Sequence, residues 1–177
     1  MRKIFYILTR LNDEDVEWLA AAGQRQRLDV GTVLIRQGQP IEALIFVLDG
    51  QVSVTIDAIG EVARLGSGEI LGEMSLVDES PPSATVTVVQ PTQILAVEKQ
   101  RLVARLDSDA AFAARFYRAI ATFLSIRMRN TVQRFGYGNA PVATEEELDL
   151  ALLDTVHVAG ARFDRLIKEL LGGEARS

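Results

Sequence analysis

The chain has 177 residues, of which 48% are hydrophobic and 24% are charged, a composition that predicts a soluble globular protein with one domain and an appendage. It has no cysteine and a single histidine, His157, which excludes disulfides, thiol chemistry and any metal site built on two histidines. The net charge of −5 has the wrong sign for a DNA binder, and no apolar run is long enough to span a membrane, so we expect a cytoplasmic protein.

The first predicted element is a helix capped by Asn12, because three acidic residues follow it and complement the positive end of a helix; Gly23 ends it. From Leu28 to Val97 the sequence changes to short β-rich runs separated by glycines, which predicts an antiparallel sandwich or roll. Asp49-Gly50 lies between two runs and predicts a tight hairpin turn. The predicted runs are Thr32–Ile35, Ala43–Leu48, Gln51–Ile56, Val62–Leu65, Ala84–Val89 and Thr92–Val97.

After Val97 the apolar residues recur at the spacing of an amphipathic helix. The pattern predicts a short helix over Glu98–Leu106 and a long one over Asp109–Gln133. Glycines and a proline then indicate a linker, and a capping box at Thr144 predicts a last helix to about Leu171. The predicted organisation is a domain with flanking helices at 1–133, a linker at 134–143 and a C-terminal interaction helix at 144–177.

The last predicted helix has an apolar seam. Its residues are spaced four and three apart, as in a heptad repeat, which is typical of a helix that packs on its own domain, on a dimer mate or on another protein. We predict partner binding through Leu152, Val156, Phe163, Leu166 and Leu170.

The segment from Leu65 to Val86 has the residues needed for a ligand site. Gly72 allows a ligand to approach the backbone, and the amides that follow it in one helical turn could bind an anion. Glu73, inside that turn, is an acceptor for a hydroxyl, so the pattern favours a ligand with both a phosphate and a sugar.

At this point the sequence resembles the cyclic-nucleotide-binding domain of bacterial catabolite activators and protein kinase A regulatory subunits. The resemblance covers about residues 10–133 and includes the segments Ile45–Val52, Gly68–Leu76 and Ser83–Val86. It implies a fold that is mainly β with flanking α: an eight-stranded antiparallel β jelly roll over about residues 27–97, plus C-terminal helices. It also implies cyclic AMP or cyclic GMP as ligand and a homodimer formed by the long helix.

The resemblance assigns nucleotide-binding roles to residues of the turn and of the following loop. Glu73 matches the ribose acceptor, whereas Pro82 stands where the family has its phosphate-binding arginine. Proline has neither charge nor N–H, so the loss of a charge-assisted bond, about 1.5–3 kcal/mol, should weaken binding about ten- to over a hundredfold. The candidate pocket residues are Gly72, Glu73, Met74, Ser75, Pro82 and Ser83, with Arg127, Asn130 and Thr131 as lid residues.

Five arginines lie in the stretch 110–134, which contains no acid. We interpret them as a solvated helix face or as partners of acids elsewhere, with a substitute for the missing phosphate contact and a patch for a partner or a nucleic acid as alternatives.

These observations predict a non-enzymatic sensor or adaptor module without a metal or a certain cofactor, in which Pro82 weakens or abolishes nucleotide binding. One alternative is a transcription regulator of the catabolite-activator type that binds cyclic AMP; another is a degenerate domain that acts only in protein–protein interaction. The segment 134–177 has five basic and eight acidic residues, net −3, which argues against DNA binding.

Overall fold

The computed structural model describes residues 9–78 and 80–134. In chain order, this part of the molecule contains the helices and strands α1 Asp13–Ala22, β1 Gln24–Leu28, β2 Val33–Ile35, β3 Ala43–Ile56, β4 Gly60–Gly66, β5 Ile70–Leu71, α2 Met74–Val77, β6 Thr85–Glu98, α3 Lys99–Ser108 and α4 Ala110–Arg134. The predicted terminal helix with Leu152, Val156, Phe163, Leu166 and Leu170 lies outside the described residues, as does the linker beyond residue 134.

The N-terminal helix begins as the sequence predicts. The Asn12 side chain accepts a hydrogen bond from the Asp15 amide at 2.8 Å, and the Asp15 carboxylate accepts one from the Asn12 amide at 2.9 Å. This reciprocal capping box satisfies two amides that a helix start would otherwise leave unpaired. Gly23 is the C-terminal cap, in extended conformation, and the chain continues directly into β1.

The strands form an antiparallel sheet of order β1-β6-β3-β4, with β2 paired to β6 and β5 paired to β3. The two long strands, β3 and β6, each have two halves that pair with different short strands. Residues 43–49 of β3 and 92–98 of β6 pair with each other and with β5 and β1, whereas residues 51–55 and 85–90 pair with each other and with β4 and β2. The predicted mainly β architecture with flanking helices is therefore confirmed.

The prediction of eight strands was wrong for the described residues, which contain six strands. The difference arises because β3 and β6 each run on as one long strand where a break between two strands was expected. Asp49-Gly50 does not form a hairpin: β3 runs through it, with register shifts against β6 on either side. Gly50 has φ +94°, and a Cβ there would lie 2.4 Å from the Pro91 carbonyl oxygen. A glycine is required because the strand bends here against β6, and such bends increase strand twist in rolls.

The strand segment at the start of β3 is buried on both faces. Alternate residues Leu44, Phe46 and Leu48 belong to a core shared with the helices, whereas Ile45 and Val47 face the interior of the roll. Phe112, Phe116 and Phe123 of α4 complete the helical core. Burial of large aromatic side chains at helical spacing holds α4 on the roll and so positions its C-terminal half beside the turn at α2.

Within the described part of the chain, no helix combines the length and the apolar character that crossing a membrane would require.

Candidate nucleotide pocket

The candidate pocket is built around the turn that joins β5 to α2. Gly72 has φ +84°, and a Cβ at this position would lie 2.6 Å from the Ile41 side chain and 2.9 Å from the Ala43 carbonyl oxygen. The Ser75 hydroxyl donates to the Gly72 carbonyl at 3.0 Å and closes the turn. Glycine is therefore needed here for both its backbone conformation and its small size.

Helix α2 is a single turn that begins after Glu73. Its first amides, those of Met74 and Ser75, occupy the positions where helical N–H groups have no acceptor within the helix. The Met74 side chain is exposed, and that of Ser75 is buried. The Lys99 ammonium donates to the Ser75 carbonyl at 2.5 Å and ties the start of α3 to this turn.

Glu73 is the acidic residue at the centre of the turn, and only 2% of it is exposed. Burial raises the pKa of its carboxyl above the ordinary value of 4.5, because a charged group loses hydration in the protein interior. The Arg127 guanidinium acts in the opposite direction and lowers this pKa, whereas the neighbouring Glu69 carboxylate raises it.

Arg127 reaches this carboxylate from α4. One terminal nitrogen, Nη1, donates to Glu73 Oε1 at 2.5 Å, and the other, Nη2, lies 3.3 Å from both Glu69 Oε2 and the Ile70 carbonyl oxygen. The guanidinium lies over the Phe123 ring, 4.9 Å from its centroid, in a cation–π contact. Among the predicted lid residues, Arg127 is thus engaged by two carboxylates.

The other two lid residues follow on the same helix. Thr131 is exposed, and its hydroxyl donates to the Arg127 carbonyl at 2.9 Å, a bond within the helix. Asn130 is half-buried. Arg129, between them and Arg127, bonds the Ser125 hydroxyl at 3.1 Å.

The loop before β6 holds Pro82 and Ser83. The Pro82 carbonyl accepts a hydrogen bond from the Gly38 amide at 2.8 Å, so the loop is attached to the segment after β2. Pro82 is half-buried and Ser83 is exposed. The Pro82 side chain contributes neither a charge nor a hydrogen-bond donor to this region.

Two residues at this turn were not among the sequence candidates. Glu69 is 7% exposed and shares Arg127 with Glu73, and Lys99 bonds the turn from α3. The only sequence signal for Glu69 was the repeated Gly-Glu pair that flanks β5. The role of Lys99 had no local signal, because its contact joins residues 24 positions apart.

Comparisons with known proteins agree with this fold. Residues 25–109 match the model of the cyclic nucleotide-binding domain. A cyclic AMP receptor protein of Thermus thermophilus is 34% identical over 98 residues, which cover 53% of this chain and 45% of that protein. A cyclic nucleotide-gated potassium channel of Mesorhizobium japonicum is 33% identical over 79 residues, 45% of this chain and 21% of the channel.

Among solved structures, a cyclic nucleotide-binding domain from Methylobacillus flagellatus superposes with a TM-score of 0.67 at 25% identity, covering 75% of this chain and 80% of that one. The helix-flanked roll and its buried Gly-Glu turn define a β-roll module. The module at residues 25–109 belongs to the cyclic nucleotide-binding domain family. The chain spans less than half the length of the curated relatives it matches.

Proposed function

We propose that this chain is a non-enzymatic sensor or adaptor module whose pocket binds cyclic AMP or cyclic GMP weakly. Domains of this family are regulatory rather than catalytic modules, and the relative from Thermus thermophilus is a cyclic AMP receptor. The buried Glu73 carboxylate is an acceptor suited to a ribose hydroxyl, and the first amides of α2 suit a phosphate.

Pro82 carries the proposal that binding is weak. A cyclic phosphate is an anion, and the four charged groups described at the turn sum to zero when all are ionised: Glu69, Glu73, Arg127 and Lys99. Arg127 already pairs with two carboxylates, so its charge is not free to compensate for the arginine that Pro82 replaces. An anion therefore gains little electrostatic attraction in this pocket.

Calorimetric titration of the full chain with cyclic AMP, cyclic GMP and cyclic dinucleotides tests this function. We expect weak binding by the natural chain and about ten- to a hundredfold tighter binding by Pro82→Arg, because a charge-assisted bond is restored. The Gly38–Pro82 bond uses a backbone carbonyl and should survive the change. Pro81→Arg is the matched control, since it adds the same charge at an exposed neighbouring position.

Pro82→Arg should lose its gain when combined with Glu73→Gln, because the ribose acceptor is then weakened. Tight binding of cyclic AMP by the natural chain, unchanged by both substitutions, would show that the pocket lies elsewhere.

We also propose that the module forms a homodimer through α4. Its buried face carries the three core phenylalanines, whereas Tyr117, Ala121, Met128 and Val132 are exposed and fall on one other face, spaced 4, 7 and 4 apart. Exposed apolar residues in a contiguous helical stripe are typical of an interface.

Sedimentation at tens of micromolar protein tests the dimer. Met128→Glu with Val132→Glu should produce a monomer, and Ala111→Glu, at an exposed position away from the stripe, should not. A monomeric natural chain would contradict this proposal and leave the ligand proposal intact.

For the output of the module we propose a protein partner bound through Leu152, Val156, Phe163, Leu166 and Leu170. Truncation after Gly138 should leave the roll folded and abolish a higher assembly or a partner contact, and Phe163→Asp with Leu166→Asp should do the same. Unfolding of the truncated chain would instead make the segment part of the domain core.

A further inference from the structure

The part of the sequence that forms the candidate pocket contains no basic residue. Residues 65–98, which include β5, α2, the loop after α2 and β6, have five acidic residues and neither Lys nor Arg. Two of these acids, Asp78 and Glu79, shortly precede Pro82 in the chain. Positive charge at the turn therefore has to come from other segments of the chain.

Within the described residues, two bases bond the turn, and both bond groups of the protein itself. Arg127 donates to the carboxylates of Glu69 and Glu73. Lys99 donates to the carbonyl of Ser75. Helical carbonyls point toward the C-terminal end of a helix and the amides toward its N-terminal end. The Lys99 ammonium therefore lies on the side of α2 that is opposite to its first amides.

The peptide groups of α2 do not replace a side-chain charge. This helix is four residues long, so few peptide dipoles add along its axis. Its first amides are hydrogen-bond donors, for which the oxygen of a hydroxyl is an acceptor just as the oxygen of a phosphate is. The two kinds of ligand thus differ mainly in charge, because burial of an anion without a paired cation costs hydration energy that an uncharged group does not lose.

The side chains at the turn suit a ligand that donates hydrogen bonds. The Glu73 carboxylate is buried and has two acceptor oxygens, whereas Pro82 brings neither a donor nor a charge. A nucleoside has free hydroxyls at the two ribose positions that a cyclic phosphate bridges. Each hydroxyl both donates and accepts, whereas the ionised phosphate only accepts. The free hydroxyls therefore fit these acceptors better than a phosphate does.

We infer that the pocket takes an uncharged purine nucleoside, such as adenosine, in preference to a cyclic nucleotide. The Glu73 carboxylate accepts from a ribose hydroxyl, and no anion enters a site whose described charges at the turn sum to zero. This inference rests on the proposed function in one respect, namely that the ligand carries a ribose and a purine base.

The first test is calorimetric titration of the full chain with adenosine and with cyclic AMP. The natural chain should bind adenosine at least about tenfold more tightly than cyclic AMP. Pro82→Arg should reverse this order, because it tightens cyclic AMP binding about ten- to a hundredfold and leaves adenosine binding unchanged. Pro81→Arg, the matched control, should keep the order of the natural chain.

Salt gives an independent measure of the role of charge. Raising the ionic strength from about 0.05 M to about 0.5 M should weaken the binding of cyclic AMP to Pro82→Arg, because the added ions screen an attraction between charges. The binding of adenosine to the natural chain should not change. A fall in adenosine affinity as large as that of cyclic AMP would contradict the inference.

The second test asks whether the nucleoside uses Glu73. In the natural chain, 2′-deoxyadenosine, which lacks one ribose hydroxyl, should bind about tenfold more weakly than adenosine. In Glu73→Gln this difference should shrink to about twofold or less, since the charged acceptor of the hydroxyl is lost. Asp78→Asn, which removes an exposed acid next to the turn, is the control and should keep the full difference. An equal difference in Glu73→Gln and in the natural chain would overturn the inference.

The proposed function and this inference fail in different ways. If cyclic AMP binds the natural chain more tightly than adenosine does, the inference is wrong and the proposed function stands. If neither ligand binds the natural chain or Pro82→Arg, the proposed function fails and the inference fails with it. Adenosine binding without cyclic AMP binding in either chain supports the inference and contradicts cyclic nucleotides as ligands. Should Pro82→Arg not fold by circular dichroism, the order of the two ligands on the natural chain decides.

Discussion

Two buried acids of this molecule are paired with arginines of the same helix, α4, but they differ in their surroundings. Asp15, 1% exposed, receives two bonds from Arg115, from Nε at 2.6 Å and from Nη2 at 2.8 Å. Glu73, 2% exposed, receives one bond from Arg127, which it shares with Glu69. One arginine is dedicated to a single acid, and the other is divided between two.

The difference distinguishes a clamp between α1 and α4, at Asp15, from a candidate ligand site at Glu73. Asp15 also closes the capping box of α1, so its carboxylate accepts hydrogen bonds both within α1 and from α4. Glu73 retains acceptor capacity, and its pKa is raised by burial because a single shared guanidinium compensates only part of the lost hydration. This incomplete compensation of the Glu73 charge lowers the stability of the fold. It also leaves the buried carboxylate able to accept a hydrogen bond from another group.

Breaking the clamp should have the largest effect on stability. Arg115→Met leaves the Asp15 carboxylate buried without its ion-pair partner, and we expect the largest loss in the free energy of unfolding among these variants. Asp15→Asn should cost less, because the asparagine can keep part of the capping box and Arg115, with 33% of its side chain exposed, can turn to water. Urea denaturation measures both. Equal and small effects would mean that the pair is not a clamp.

The pocket acid should instead change how stability depends on pH. The folded-state pKa of Glu73 is raised above its ordinary value of 4.5, so the native state holds this proton more tightly than the unfolded state does. The stabilisation it contributes is fully present below pH 4.5 and is lost as the pH rises through the folded-state pKa. Relative to Glu73→Gln, the natural chain should therefore lose free energy of unfolding over that range. Parallel pH profiles in urea denaturation would contradict this.

The smallest effect is expected from the second acid of the pocket. Glu69→Gln removes a carboxylate that lies 3.3 Å from Arg127, and we expect a change of less than about 1 kcal/mol in stability. It should lower the pKa of Glu73, because a neighbouring like charge is removed. Carboxyl-carbon NMR measures this change. A Glu73 titration unaffected by Glu69→Gln would show that the two acids do not share Arg127 in solution.

Some parts of the pocket follow from local sequence. The Gly72-Glu73 turn can be predicted from neighbouring residues, whereas the contacts with Ile41 and Ala43 that exclude a Cβ at position 72 come from tertiary packing. The role of Arg127 could not be predicted in the same way. Sequence reasoning allowed it to be solvated, to pair with an acid elsewhere or to replace a phosphate contact, and the structure pairs it with two acids 54 and 58 residues away.

The hairpin predicted at Asp49-Gly50 shows the same limit in the fold. An Asp-Gly pair between β-rich runs satisfies the local rules for a tight turn, yet β3 continues because its backbone pairs with β6 on both sides of Gly50. The glycine is required by its contact with Pro91, which is 41 positions away in the chain. The same residue types occur in hairpin turns and in bends within a strand, and only the pairing with a neighbouring strand shows which of the two is formed.

Patterns within a few residues are enough to predict the class of the molecule, through the capped α1, the glycine-punctuated β region and the helical phenylalanine stripe. Which strands are continuous, and which arginine meets which acid, depends on contacts between distant parts of the chain. The physical reason is that long side chains such as arginine and glutamate have many rotamers, and their pairing depends on where packed helices and strands place them.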